Sequence, residues 1–141
     1  MEIKKTNIAY LAHPVISRHK VREWELKIER LYPSLILHNP FYDSEGLEKE
    51  NIKNLDDAKP LQIPYDYPSY LVHKDIENIA KCDFMIAIID GSPSFGTIME
   101  IVYAKILHKP VYIINMTIYG KEHSWLKYHS TKMFSNYPEF E

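Results

Sequence analysis

A single cysteine, Cys82, stands in the 141 residues. An intrachain disulfide and a thiolate metal cluster are excluded, and a soluble protein of a reducing, cytoplasmic compartment is expected. Neither sign of charge is in excess. With 17 Lys and Arg against 19 Asp and Glu the net charge is −2, so neither nucleic acid nor membrane is expected as a partner. No apolar run approaches the roughly 20 residues that span a bilayer. The opening MEIKKTNIAYLAHP has two lysines but no signal-peptide core or small-residue cleavage site. The seven histidines never fall in HxxxH, HxH or HExxH spacing, so no metal site is expected. Only four glycines occur, and two of them, Gly91 and Gly96, bracket one short loop. Their spacing is not GxGxxG, and no Lys-Ser/Thr pair follows Gly96 as in a Walker A loop. A dinucleotide or NTP site of those types is excluded, and no cofactor is expected.

What is present is the composition of an ordinary globular protein, 45% hydrophobic and of a length that suits one domain, 1–141. Eleven tyrosines supply amphipathic surface suited to a small-molecule pocket or a subunit interface. NIAYLA (7–12) reads as a buried strand closed by His13-Pro14. Residues 17–32 carry Val21, Trp24, Ile28 and Leu31 at helical spacing, with Ser17 as N-cap and Pro33 as stop. SLILH (34–38) is a second strand. Residues 39–69 are irregular, with a short helix expected near 47–55 and prolines at 60, 64 and 68. Helical spacing returns over 70–81. FMIAIID (84–90) has the continuous apolarity of a central parallel strand. A helix over 97–107, a strand over 110–115, a helix near 123–128 and a strand near 132–134 complete the chain.

This alternation predicts an α/β fold, a doubly wound (Rossmann or flavodoxin-like) parallel sheet of about five strands flanked by helices. Ligands of such folds bind beyond the carboxyl ends of the strands. The residues expected on that edge are His13, Asn39, Asp90 to Gly96, and Asn115 to Thr117. Glu100 is set among Ile98, Met99, Ile101 and Val102, expected in the first turn or so of the helix that follows Asp90. A helix start favours an ionised carboxylate there, and Asp90 would face the same crevice. Two converging carboxylates suggest glycosyl transfer, one as nucleophile and one orienting or shuttling protons. An ordinary solvent-facing charge at a helix start explains Glu100 equally well on spacing alone. Likewise Asp75 reads as a site residue or a surface charge, and Tyr10 as a site residue or a core aromatic.

The opening NIAYLAHP and the block HKDIENIAKCDFMIAIIDGSPSFGTIMEIVYAKILHKPVYII together resemble the nucleoside 2-deoxyribosyltransferase family. The shared features are an aromatic in the first strand (Tyr10), Asp75 on the helix before Cys82-Asp83, and the strand-ending Asp90. Gly96-Thr97-Ile98-Met99-Glu100, followed by Tyr103-Ala104, completes the pattern, and the match covers about residues 7–115. The resemblance implies that Glu100 attacks the anomeric carbon of a 2'-deoxynucleoside and forms a covalent deoxyribosyl-enzyme. A second nucleobase then takes the sugar, or water does in the hydrolase branch. Asp90 and Asp75 would hold substrate and assist proton transfer, and Tyr10 would hold the nucleophile. His13, Arg18, Gly91, Ser92, Gly96 and Met99 would line the substrate. A homo-oligomer is implied, because the family borrows a polar residue from a neighbouring subunit.

The chain departs from the resemblance after the first strand, where HPVISRHK replaces the glycine- and serine-rich loop that holds a 5'-phosphate in nucleotide-specific members. Ser17, Arg18, His19 and Lys20 are the phosphate-binding alternative there. Three rival activities remain open: a deoxynucleoside 5'-monophosphate N-glycosidase with water as acceptor, an NAD glycohydrolase-like enzyme, and a nucleotide-sensing or sequestering module without turnover.

Overall fold

The computed structural model describes residues 6–42, 68–118 and 122–141. The helix expected near 47–55, and most of the irregular segment around it, lie outside these residues. Among them, β1 (Asn7–Ala12), β2 (Leu35–His38), β3 (Phe84–Ile89), β4 (Val111–Asn115) and β5 (Lys132–Phe134) form one parallel sheet. The strand order is β2-β1-β3-β4-β5. The doubly wound fold expected from the sequence is therefore present, and its direction of winding reverses between β1 and β3, where such sheets open a crevice.

The period-2 geometry of β1 sends alternate side chains to opposite faces of the sheet. Ala9 and Leu11 pack with Val21, Trp24 and Ile28 of α1 (Arg18–Leu31), and with Tyr137 and Phe140 of a short C-terminal helix. Tyr10 and Ala12 pack on the other face with Ile79 of α2 (Pro68–Lys81) and with Ile101 and Ala104 of α3 (Phe95–Ile106). Leu126 of α4 (Ser124–His129) joins that second cluster. Covered on both faces, Met85 to Ile88 of β3 are buried without alternation.

Three local outcomes differ from the sequence expectation. Leu31 is exposed, and the buried face of α1 instead takes in Arg22 and Glu25 beside Val21, Trp24 and Ile28. Helix α3 starts two residues earlier than expected, because Ser94 Oγ accepts the Thr97 N–H and so fixes the N-terminus. The C-terminal helix α5 (Tyr137–Phe140) was not anticipated. It is set by Asn136 Oδ1, which accepts the Glu139 N–H, and by Pro138 in its first turn. Beside the sheet's own pairing, Asp83 Oδ2 accepts the Ile8 N–H at 2.8 Å and so joins the start of β3 to β1.

Candidate active site

Three elements bring Tyr10, Asp75 and Glu100 together on the α2–α3 face of the sheet. Tyr10 is a fully buried side chain of β1. Asp75 precedes the buried Ile79 by one turn of α2, and so is turned toward the sheet. Glu100 lies between the core-facing Thr97, Ile101 and Ala104 of α3. Because α3 begins at Phe95, Glu100 sits in the second turn rather than the first, and the helix terminus does little for its charge. Its carboxyl atom Oε2 is buried without a hydrogen-bond partner, as is the Tyr10 hydroxyl. A solvent-facing charge is thereby ruled out.

The electrostatics of this cluster follow from burial and from like charge. Burial first, and then the Asp75 carboxylate, push the Glu100 carboxyl up to about 8, while the Tyr10 hydroxyl draws it partly back. Burial lifts Asp75 to about 6, again opposed by Tyr10. The Tyr10 hydroxyl is raised well above its ordinary range by burial and by both carboxylates. Two carboxyls so close cannot both be ionised cheaply, so at neutral pH the pair holds one proton. The higher value places that proton on Glu100 and leaves Asp75 anionic, so Glu100 can attack an anomeric carbon once its proton has passed to Asp75, which then donates.

Asp90 belongs to a second cluster at the end of β3. Ser17 Oγ donates to Asp90 Oδ2, and the Ser92 N–H donates to Oδ1 at 3.0 Å. Burial works against the charge of Asp90, but these hydrogen bonds outweigh it and hold the carboxyl below its ordinary range. Ser17 and Ser92 hydroxyls lie 3.3 Å apart, so the three residues form one polar group. Ser17 occupies the N-cap position of α1, yet its side chain makes no cap bond and serves Asp90 instead. Gly91 has φ +92°, a conformation in which L side chains are strained, which accounts for glycine after the strand. The carboxylate whose charge bears on Glu100 is thus Asp75, while the field of Asp90 reaches His13 and Tyr137.

A third polar group lies on the α1 side. His13 Nε2 is 3.0 Å from Asn39 Oδ1, and Nδ1 is 3.0 Å from the Pro14 carbonyl. The Asn39 amide donates to Glu25 Oε1 at 2.8 Å, and Arg22 Nη1 donates to Glu25 Oε2 at 2.6 Å. The Tyr42 ring lies under the Arg22 guanidinium, 4.8 Å from its centroid. All five side chains are buried. Burial lowers the His13 pKa, and the Asn39 and Pro14 contacts and the Asp90 charge only partly offset it.

The remaining expected substrate residues are dispersed. Arg18 donates to the Val15 carbonyl at 3.0 Å, in the exposed first turn of α1. Gly96 lies within the first turn of α3, with no heavy atom within 4 Å of where a Cβ would stand. Met99 is on the outer face of α3. Sequence reasoning passes over Ser94 and the Arg22–Glu25 pair. The signal for the pair was the i, i+3 spacing of Arg22 and Glu25 beside Val21 and Trp24, one residue off the apolar stripe.

No known family profile matches the chain, and no curated protein is detectably similar in sequence. Solved structures do share its fold. A CMP N-glycosidase of Clostridium botulinum superposes with a TM-score of 0.58 at 16% identity, over 95% of this chain and 93% of that one. A conserved protein of Enterococcus faecalis gives 0.57 at 20% identity, over 87% of this chain and 71% of that one. A 2-desoxiribosyltransferase of Leishmania mexicana gives 0.54 at 20% identity, over 88% and 72%. At the level of fold, the resemblance read from the sequence is borne out.

Proposed function

We propose that the chain is an enzyme of N-glycosidic bonds, moving the deoxyribosyl group of a 2'-deoxynucleoside from one nucleobase to another. The observation that carries this reading is the buried Tyr10–Asp75–Glu100 cluster, in which the Glu100 carboxyl is enclosed beside the charge of a second carboxyl. The two named neighbours, a CMP N-glycosidase and a 2-desoxiribosyltransferase, both act on such bonds and support it.

In the first half-reaction a Glu100 oxygen bonds to C1′ as the C1′–N bond breaks. The proton held by the carboxyl pair passes to the departing nitrogen through Asp75. The Tyr10 hydroxyl, near both carboxyls, holds the nucleophile in line. In the second half-reaction an acceptor nitrogen attacks C1′, the Glu100 ester bond breaks, and the acceptor's proton returns to the pair. Two displacements give retention at C1′. Asp90, kept ionised by Ser17 and Ser92, offers an acceptor for sugar hydroxyls. His13, Gly91 and Ser92 stand beside Asp90 as the substrate-facing residues, while Arg18, Gly96 and Met99 lie apart from the cluster, and no cofactor enters the scheme.

A second reading puts water in place of the acceptor base and a nucleoside 5'-monophosphate in place of the nucleoside. It is favoured by the near-complete mutual coverage with the CMP N-glycosidase. Chromatography of deoxynucleosides and nucleoside monophosphates, incubated with and without a second free base, separates the two readings. Base exchange supports transfer, and base release without an acceptor supports hydrolysis. The absence of both across purine and pyrimidine substrates would sink the proposal. A Glu100→Ala variant with full activity would remove Glu100 from its role.

A further inference from the structure

His13 follows the last residue of β1 at the switch point of the sheet. It is 2% exposed, yet both of its ring nitrogens face oxygens that accept hydrogen bonds. Nδ1 lies 3.0 Å from the Pro14 carbonyl, and Nε2 lies 3.0 Å from Asn39 Oδ1. An amide can turn its nitrogen toward a neighbour, but two contacts fix this one. The Phe41 N–H donates to Asn39 Oδ1 at 3.0 Å, which sets the oxygen on the ring side. Glu25 Oε1 accepts from the Asn39 nitrogen at 2.8 Å, and Arg22 donates to the same carboxylate. A neutral imidazole has one N–H, so either tautomer sets a lone pair against an oxygen here. The imidazolium has two and satisfies both.

The surroundings weigh on that second proton from both directions. Burial opposes a charge on the ring, while the Asn39 and Pro14 oxygens and the Asp90 carboxylate after β3 favour it. On α1, Glu25 and Arg22 meet the ring only through Asn39, as an ion pair without net charge. After β2, the Phe41 ring packs on His13 with centroids 4.9 Å apart, and Tyr42 lies under Arg22. His38, the last residue of β2, packs instead on Tyr10, on the other face of the sheet. Burial has the largest effect, so the ring takes its second proton only below the ordinary value of 6.5.

We infer that His13 is a proton-operated latch: only the doubly protonated ring bonds residue 39 and the turn before α1 at once. Closing it ties three segments together. Asn39 passes the contact to the Phe41 backbone and to Glu25 of α1. The Pro14 carbonyl also accepts the Ser17 N–H at 3.2 Å, and Ser17 in turn serves Asp90. The latch therefore sets how firmly one wall of the crevice is held, at the edge where ligands of such sheets bind. It stands apart from the Tyr10–Asp75–Glu100 cluster, and its working does not depend on which reaction that cluster performs.

Long-range 1H–15N NMR of the histidine rings, from about pH 4.5 to 8, tests the inference. The His13 signals are assigned by their loss in His13→Gln. On acidification the wild-type ring should gain its second N–H with a midpoint below 6.5. The Asn39 side-chain amide and the Phe41 N–H should shift with the same midpoint, and His13→Gln should abolish that shift. Asp90→Asn should move the midpoint down, because an anion that favours the second proton is gone. Asp75→Asn removes a carboxyl lifted to about 6 on the other face, and should leave the midpoint in place. A His13 ring whose proton count stays constant across the range overturns the latch. So do Asn39 and Phe41 signals that stay still while the ring titrates, or that follow Asp75 instead. The wild-type titration alone decides the first two of these outcomes.

Discussion

Two buried glutamates, one on each side of the sheet, are handled in opposite ways. Glu25 on α1 is fully enclosed, and each of its oxygens receives a donor, from Arg22 Nη1 and from the Asn39 amide. Glu100 on α3 faces a second carboxyl, and only the Tyr10 hydroxyl partly offsets the burial of its charge. Enclosing a carboxylate with its countercharge and hydrogen bonds is a structural solution that ties α1 to the segment after β2. Enclosing one beside like charge and without a countercharge costs stability and gains only reactivity. The difference separates a group that holds the fold from one that waits for a substrate.

The comparison breaks first at activity. Glu100→Gln should lower kcat by at least about 10³-fold in the base-exchange or base-release assay, because the attacking oxygen is lost. Glu25→Gln should leave kcat within a few fold in whatever fraction of the protein is folded. The pH profile follows from the same pair. Activity should peak between about 6 and 8, the values to which Asp75 and Glu100 are lifted, and fall on both sides. Below that window both carboxyls are protonated and no nucleophile remains. Above it both are ionised and no proton is left for the leaving base.

Stability reverses the ranking. Glu25→Gln removes the buried Arg22–Glu25 ion pair and should cost about 3–5 kcal/mol in urea unfolding. Glu100→Gln should have the opposite sign above neutral pH. Asp75 and Glu100 bind protons more tightly in the folded chain than in the unfolded one, since both pKa values are raised. At low pH both states are protonated and neither gains. As pH rises from the ordinary carboxyl range toward 8, the unfolded chain ionises first, so stability falls with rising pH. Melting temperatures from pH 5 to pH 8 should show that fall, and Glu100→Gln should flatten most of it. The smallest expected effect is Ser94→Ala, which removes the α3 cap and should cost about 1 kcal/mol, read as a shift in the urea midpoint.

Much of the fold was legible because its signals are local. β1 matches NIAYLA residue for residue, and β5 matches 132–134, since short apolar runs between breakers leave little choice. Helix ends moved by one or two residues where a side chain decided the matter. Ser94 drew α3 forward, and Ser17 turned away from its cap toward Asp90. Glu100 was legible as an oddity among apolar neighbours, but its companion Asp75 was reached only through the family resemblance and not from spacing. Spacing placed Asp90 opposite it because the two are near in sequence. Asp75 comes close only through the packing of α2 beside α3, which no local pattern encodes. The Arg22–Glu25–Asn39–His13 chain was hidden for the same reason, as its members come from three segments that meet only in the folded sheet.

The two tryptophans stand in opposite surroundings, and the molecule therefore carries its own optical readouts. Trp24 is 6% exposed, packed against the Tyr137 and Phe140 rings, with its indole N–H donating to Glu141. Its emission should lie toward the blue and shift red only as the chain unfolds. Trp125 is open to water on α4, so its emission lies further red and yields first to a soluble quencher. Colour and quenching in one fluorescence titration would then follow two events separately, the loss of the core around α1 and a change in solvent access at α4.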